Sequence, residues 1–109
     1  MAQTHKVLGQ SNPGSTALTT LYTAPSATSA VCSTIAVCNQ AATPGTYRIA
    51  VRPAGESIAA KHYLVYDATV GAGDSVFITI GLSLAATDVV SVYASSANQS
   101  FSLFGVEIT

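Results

Sequence analysis

The stretch "SVFITIGLSL" alternates apolar with small or polar residues, and it lies between the turn-forming clusters "GAGD" and "AATD". A period of two puts Val76, Ile78, Ile80, Leu82 and Leu84 on one side of a strand and Phe77, Thr79, Gly81 and Ser83 on the other. On a helix the same residues would be smeared around the axis and bury no single stripe. The arrangement recurs along the chain. Alternating runs, separated by Pro, Gly, Ser, Asn and Asp clusters, appear about every 10 to 15 residues, the punctuation of a sandwich or barrel. No segment has a convincing helical period.

About eight strands follow from this punctuation. They are "HKVLGQ", "ALTTLYTA", "SAVCSTIAVCN", "TYRIAVRP", "KHYLVYDATV", "SVFITIGLSL", "VVSVYASS" and "SFSLFGVEI". The chain is therefore predicted to be all-β, an antiparallel β-sandwich of jelly-roll-like form. Residues 1–16 are an N-terminal arm or first strand, closed by the turn "SNPGS", and 17–109 form the sandwich. In the third strand Val31, Ile35 and Val37 are expected inside, with Cys32, Thr34, Ala36 and Cys38 opposite. In the fourth, Tyr47, Ile49 and Val51 oppose Arg48, Ala50 and Arg52, which places two arginines on one exposed face. In the last, Phe101 and Leu103 have one parity and Val106 and Ile108 the other. Gly105 between them reads as a bulge that returns Val106 and Ile108 to the core.

A chain of 109 residues is one domain with room for a single core. Only 8% of it is charged, against about 25% in an average soluble domain. Ser, Thr and Ala stand in place of the charges. Such a surface has little repulsion to keep copies apart and little side-chain entropy to lose on contact. This composition points to a chain that lives in an assembly. The four cations, Lys6, Arg48, Arg52 and Lys61, are scattered, so no phosphate-binding patch exists and nucleic acid is not an expected partner. No run approaches the roughly 18 apolar residues of a membrane span. "MAQTHKVLGQ" has no apolar h-region and reads as no signal peptide.

Cys32 and Cys38 are six residues apart in one strand, so about 20 Å separates them. A disulfide between them needs Cα atoms about 4.4 to 6.8 Å apart. Both are expected buried and reduced, as in a protein made in a reducing cytoplasm. Their spacing fits no zinc pattern. His62 and Asp67 have opposite parity on one strand, and no G-x-S-x-G elbow occurs. The chain is therefore read as a non-enzyme with no catalytic, cofactor-binding or metal-binding residue. Asp67, Asp74 and Asp88 are expected at or near the ends of strands, and "GAGD" and "AATD" place Asp74 and Asp88 at turns, accepting backbone N–H bonds. The large groups available for contact are Tyr22, Tyr47, Tyr63, Tyr66, Tyr93 and Phe77. The interface candidates are His5, Lys6, Val7, Arg48, Arg52, Phe77 and Tyr93.

The segments "LYTAP", "CNQ", "RIAVRPAG", "KHYLVYD", "TDVVSVYAS" and the closing "FSLFGVEI" together cover most of the chain. In them the sequence resembles small virion proteins of tailed phages, familiar from phages of cyanobacteria and marine bacteria. The resemblance is one of pattern, without a catalytic motif. It implies a β-sandwich that decorates capsids or builds tail and neck parts, assembled in the host cytoplasm and resident in the virion. The implied function is a capsid decoration (cement) protein that buries area between capsomers, self-associated as a homotrimer and bound to the major capsid protein or another virion protein. The trimer rests on the three-fold symmetry of capsid junctions. The alternatives are a tail, neck or baseplate component, or a carbohydrate- or host-binding module on the tail.

Overall fold

The computed structural model describes residues 2–13 and 17–109, so the end of the "SNPGS" turn, residues 14–16, lies outside the described residues. Eight strands form: β1 (Gln3–Ser11), β2 (Thr19–Thr23), β3 (Ser29–Asn39), β4 (Gly45–Arg52), β5 (Tyr63–Val70), β6 (Ser75–Leu84), β7 (Val89–Ala94) and β8 (Gln99–Ile108). The bounds of β3 and β6 coincide with the alternating runs. β5 begins two residues later than its run, because Ala60–His62 turn in a 3-10 helix.

All pairings are antiparallel, in two four-stranded sheets of order β1-β8-β3-β6 and β2-β7-β4-β5. That order is a jelly roll, in which successive strands alternate between two packed sheets except for β4 and β5, which pair as neighbours. The molecule measures 45 × 27 × 20 Å. Two sheets about 10 Å apart, each carrying side chains on both sides, fill the short dimension. The core between them holds Ile35, Val37, Phe101 and Leu103 from the first sheet and Tyr47, Ile49, Val90 and Val92 from the second. The Tyr47 ring meets Phe101 edge-on, with centroids 6.5 Å apart. β6 keeps its expected face: Leu84 is buried, and Val76, Ile78 and Leu82 pack on the core.

The first sheet fans open at one level, and this overturns two parity expectations. Phe104 and Gly105 are consecutive in β8, but their β3 partners Thr34 and Cys32 are separated by Ser33. The β6 partners of those two, Thr79 and Leu82, are separated by Ile80 and Gly81. On the other side, β1 inserts Leu8 between Val7 and Gly9. Each inserted residue is a bulge that bends and twists its strand. In β3 the bulge at Ser33 flips the phase. Cys32 is fully buried and Val31 is 41% exposed, the reverse of the expected order.

β8 itself stays in phase, so Gly105 is not the bulged residue. The inward positions beyond Leu103 are Gly105 and Glu107, while Val106 and Ile108 pair with the outward Val31 and Ser29. The glycine is needed for closeness. A Cβ there would overlap the Val31 carbonyl oxygen and stand 2.9 Å from Cys32 Cα and 3.1 Å from Leu8 Cδ1. Glu107 uses the inward slot to accept the Tyr22 hydroxyl at 2.7 Å and to meet Lys6 Nζ at 3.1 Å. A hydroxyl-to-carboxylate bond of this length is charge-assisted. Burial, and the carboxylate it bonds, push the Tyr22 hydroxyl above its ordinary value. The same bond, with Lys6, holds Glu107 below its own.

At the opposite end of the sandwich Asn39 and Gln99 face inward side by side on β3 and β8. The Asn39 amide donates to the carbonyls of Thr43, Val70 and Gly71 and accepts from the Ala41 N–H. One side chain therefore ties together three chain segments that no ladder joins. The aspartates at the tips act as expected. Asp74 accepts from the Ser75 N–H, and Asp88 from the N–H groups of Ala54 and Ala85. Asp67 lies inside β5 rather than near its end, and it accepts from a side chain, Arg48, rather than from a backbone N–H.

Candidate functional site

The two outer faces of the sandwich differ. On the β2-β7-β4-β5 sheet, the β4–β5 connection folds back over the strands. Arg52 reaches it by donating to the Glu56 carbonyl at 3.0 Å while its Nε donates to Ser91 at 3.2 Å. Ala50, Ser91 and Val89, all on outward positions of β4 and β7, are buried in consequence. His62 closes the connection. It is buried, its Nδ1 accepts from the Ala59 N–H at 3.0 Å, and so its Nε2 carries the proton it shares with Glu56 Oε1 at 3.1 Å.

Beyond that cover, Arg48 lies between two tyrosines. Its guanidinium carbon is 4.1 Å from the Tyr66 ring centroid and 4.3 Å from that of Tyr93. Asp67 accepts from Arg48 Nε at 2.6 Å and from a second guanidinium nitrogen at 3.2 Å. Two backbone features bring Asp67 there. β5 carries an extra residue between Val65 and Ala68 relative to β4, and Asp67 has a left-handed φ of 54°. The bond to Arg48 holds the Asp67 carboxyl below its ordinary value. Arg48, Arg52 and Tyr93, expected as contact residues, do share this face, and each is engaged within the molecule.

The outer face of the β1-β8-β3-β6 sheet carries no such cover. Paired residues on neighbouring strands share a side, which gives outward rows Val7–Phe104–Thr34–Thr79, His5–Val106–Val31–Ser83 and Gln10–Ser102–Ala36–Phe77. Phe77 is 69% exposed and Val7 46%. Phe104, Val106 and Ile108 are half-buried. No Asp, Glu, Lys or Arg occupies any outward position of these paired strands among the described residues. Of the expected contact residues, His5, Val7 and Phe77 fall on this face, and Lys6 points the other way, to Glu107. Val31, Phe104, Val106 and Ile108 were not among them: the facing of Val31 turns on the Ser33 bulge, and that of Val106 and Ile108 on β8 keeping its phase through Gly105.

Cys32 is buried at an inward position and Cys38 is half-buried at an outward one, and they are unbridged. Burial pushes the Cys32 thiol up to about 11. Among the described residues no three His, Cys, Asp or Glu side chains converge. No helix among them is long and apolar enough to cross a membrane. No protein-family model, curated protein or solved structure matches the chain.

Proposed function

We propose that this chain is a structural protein of a bacteriophage particle, a decoration protein that docks through the outer face of its β1-β8-β3-β6 sheet. The observation that carries the reading is that face: it exposes Val7, Val31 and Phe77, bears no Asp, Glu, Lys or Arg among the described residues, and has no connection folded over it, whereas the β4–β5 connection covers part of the opposite face. Strands about 4.8 Å apart and about 3.3 Å per residue give four strands of this length an area of about 600 Å². Standard stable interfaces cover about 800 Å² on each partner, so the face with its flanks is of the right order. The apolar groups within that face, Val7, Val31, Phe77, Phe104 and Val106, form the kind of exposed patch that often marks a contact site.

A neutral face opposes its own copy with no like charges. Three copies around a three-fold axis, as at a capsid junction, each turn this face to two neighbours. The jelly roll is also used by viral capsid proteins, which is a likeness of architecture and carries little weight alone.

The test uses purified protein in light scattering, followed by addition to particles lacking it. The wild type is expected to sediment as an oligomer and to bind the particles. Val7→Lys combined with Val31→Lys keeps the fold, since both side chains are already exposed, and is expected to abolish both behaviours. A wild-type monomer that binds neither heads nor tails removes the proposal.

A further inference from the structure

A second surface lies on the other side of the sandwich. Ile58, Ala59, Ala60, Tyr63 and Tyr66 wall an open cleft of about 630 Å³. This is within the range of small-ligand sites, about 300–1,000 Å³. Tyr66 is 60% exposed and Ile58 41%, so the cleft presents apolar surface to water.

The wall is held in shape. The Tyr63 and Tyr66 rings meet at 88° with centroids 4.9 Å apart. Arg48 stacks on Tyr66 and is itself fixed by Asp67. A left-handed backbone at a non-glycine residue is costly and persists where surroundings impose it, and here it sets the direction of Tyr66 and Asp67 together. A preorganised aromatic surface loses little entropy when a ligand arrives.

The rim is electrically closed. Arg48 pairs with Asp67, and Lys61 lies 3.7 Å from Glu56, which also receives His62. Two cations face two carboxylates, so neither an anion nor a cation is favoured. A suitable ligand is neutral, with a flat C–H face to lie on one of the two rings and its edge against the other, and with hydroxyls for the tyrosine hydroxyls and the exposed side of Asp67. We infer that this cleft binds a short neutral oligosaccharide. The inference is independent of the docking proposal, because the cleft and the bare face lie on opposite sides of the molecule.

The experiment is a titration of the ¹⁵N-labelled full chain with three probes at millimolar concentration. They are hexamers of β-1,4-linked glucose, α-1,4-linked glucose and β-1,4-linked N-acetylglucosamine. At least one is expected to give saturable amide shifts confined to residues 58–67 and their neighbours Arg48 and Tyr93. Tyr66→Ala is expected to weaken that binding at least about tenfold, or about 1.4 kcal/mol, and to leave the oligomeric state unchanged. The wild-type shift map decides the matter even if the variant folds poorly. Silence with all three probes, shifts mapping elsewhere, or saturable binding of a proline-rich peptide in place of the sugars overturns the inference. Loss of self-association with sugar binding intact tells against the docking proposal alone.

Discussion

Gly105→Ala is the sharpest test of how the first sheet is built. Two accounts of this glycine make different predictions. A bulge glycine with positive φ would suffer from any side chain through backbone strain, most of all a β-branched one. The structure gives Gly105 no positive φ; among the described glycines only Gly55 and Gly73 have one. The cost is instead steric, and one methyl group incurs it. That methyl overlaps the Val31 carbonyl and stands 2.9 Å from Cys32 Cα, both backbone atoms of the central strand β3. Backbone cannot swing aside as a side chain can, so β3 and β8 must separate by a sizeable fraction of an ångström. Overpacking a close-fitting interior costs about 1–3 kcal/mol and occasionally more. Removing a strand glycine returns about 0.5–1 kcal/mol of chain entropy. With the obstruction made of main chain, the upper end applies, and a net loss of about 2–3 kcal/mol is expected.

For a domain near 100 residues each kcal/mol moves the melting temperature by about 4–8 °C. The drop should therefore be roughly 10–20 °C, without loss of folding at 25 °C if the parent has ordinary stability. Gly81→Ala on the edge strand β6 is the control. Nothing lies within 4 Å of a Cβ there, so it should be neutral or slightly stabilising. Both variants are read by thermal melts and urea midpoints. Equal melting temperatures for the two would refute the close-approach reasoning. A large further loss from Gly105→Ala to Gly105→Val, with alanine itself harmless, would restore the backbone-strain account.

Further consequences are open to measurement. Glu107 has a folded pKa below its ordinary value of 4.5, chiefly through the Tyr22 hydroxyl and then Lys6. Its contribution is therefore present above about pH 4.5 and is lost as pH falls through the lower folded value. Glu107→Gln should melt below wild type at pH 7, and the two curves should converge on acidification; a gap that stays constant to pH 3 would contradict this. Thr87 is a β-branched residue with φ of 69°, a conformation that costs about 1–2 kcal/mol for an L-residue. Thr87→Gly should stabilise by up to about 1 kcal/mol after the entropy of the unfolded glycine; a destabilised variant would show that the turn needs the side chain. Alkylation without reductant should label two thiols per denatured chain. In the native protein Cys38 should react well before Cys32, which is buried with its thiol raised to about 11. A denatured count of zero would require the two to be bridged.

The strands were readable because each alternating run is bounded by residues that stop it. "SVFITIGLSL" lies between "GAGD" and "AATD", and "SAVCSTIAVCN" closes on Asn39 before "QAATPG". The phase of a strand was readable where its own alternation runs through unbroken, whatever its neighbours insert. β6 keeps its face because Val76, Ile78, Leu82 and Leu84 alternate undisturbed. In β3 the phase flips at Ser33, and nothing about a serine announces that. A bulge is a relation between two strands, and "VCSTIAV" read alone offers Val31 and Cys32 equally. The sequence around Gly105 did carry a signal, the parity switch from Leu103 to Val106. That switch has two solutions, a bulge or a strand whose outer side is apolar, and only the partners Val31 and Cys32 decide between them. The bare face was hidden for the same reason. The Arg48–Asp67 pair was hidden because its members are distant in sequence and meet only through the extra residue in β5. Asp67 was expected near a strand end and is a left-handed residue within the strand.

The low charge of the chain has a spatial form that composition does not show. Four cations and five carboxylates are present, and all nine have partners within the fold. Lys6 meets Glu107, Arg48 meets Asp67, and Lys61 meets Glu56. Arg52 holds Ser91 and the Glu56 carbonyl, and Asp74 and Asp88 hold backbone N–H groups. Charges sprinkled at random by a sparing composition would fall on both outer faces. Here none falls on the outward rows of β1, β8, β3 and β6. If that face is where copies meet, their association is apolar and must behave so in salt. Sodium chloride screens exposed charges over about 10 Å at 0.1 M and leaves apolar burial nearly untouched, whereas sulfate strengthens burial. Self-association should therefore be almost flat in sodium chloride up to about 0.5 M and tighten in ammonium sulfate at equal ionic strength. Dissociation by sodium chloride would mean that charged groups lie in the contact. The contact would then have to involve the edges near Lys6 or the face of Arg48, and the bare sheet would not be the surface that holds the assembly together.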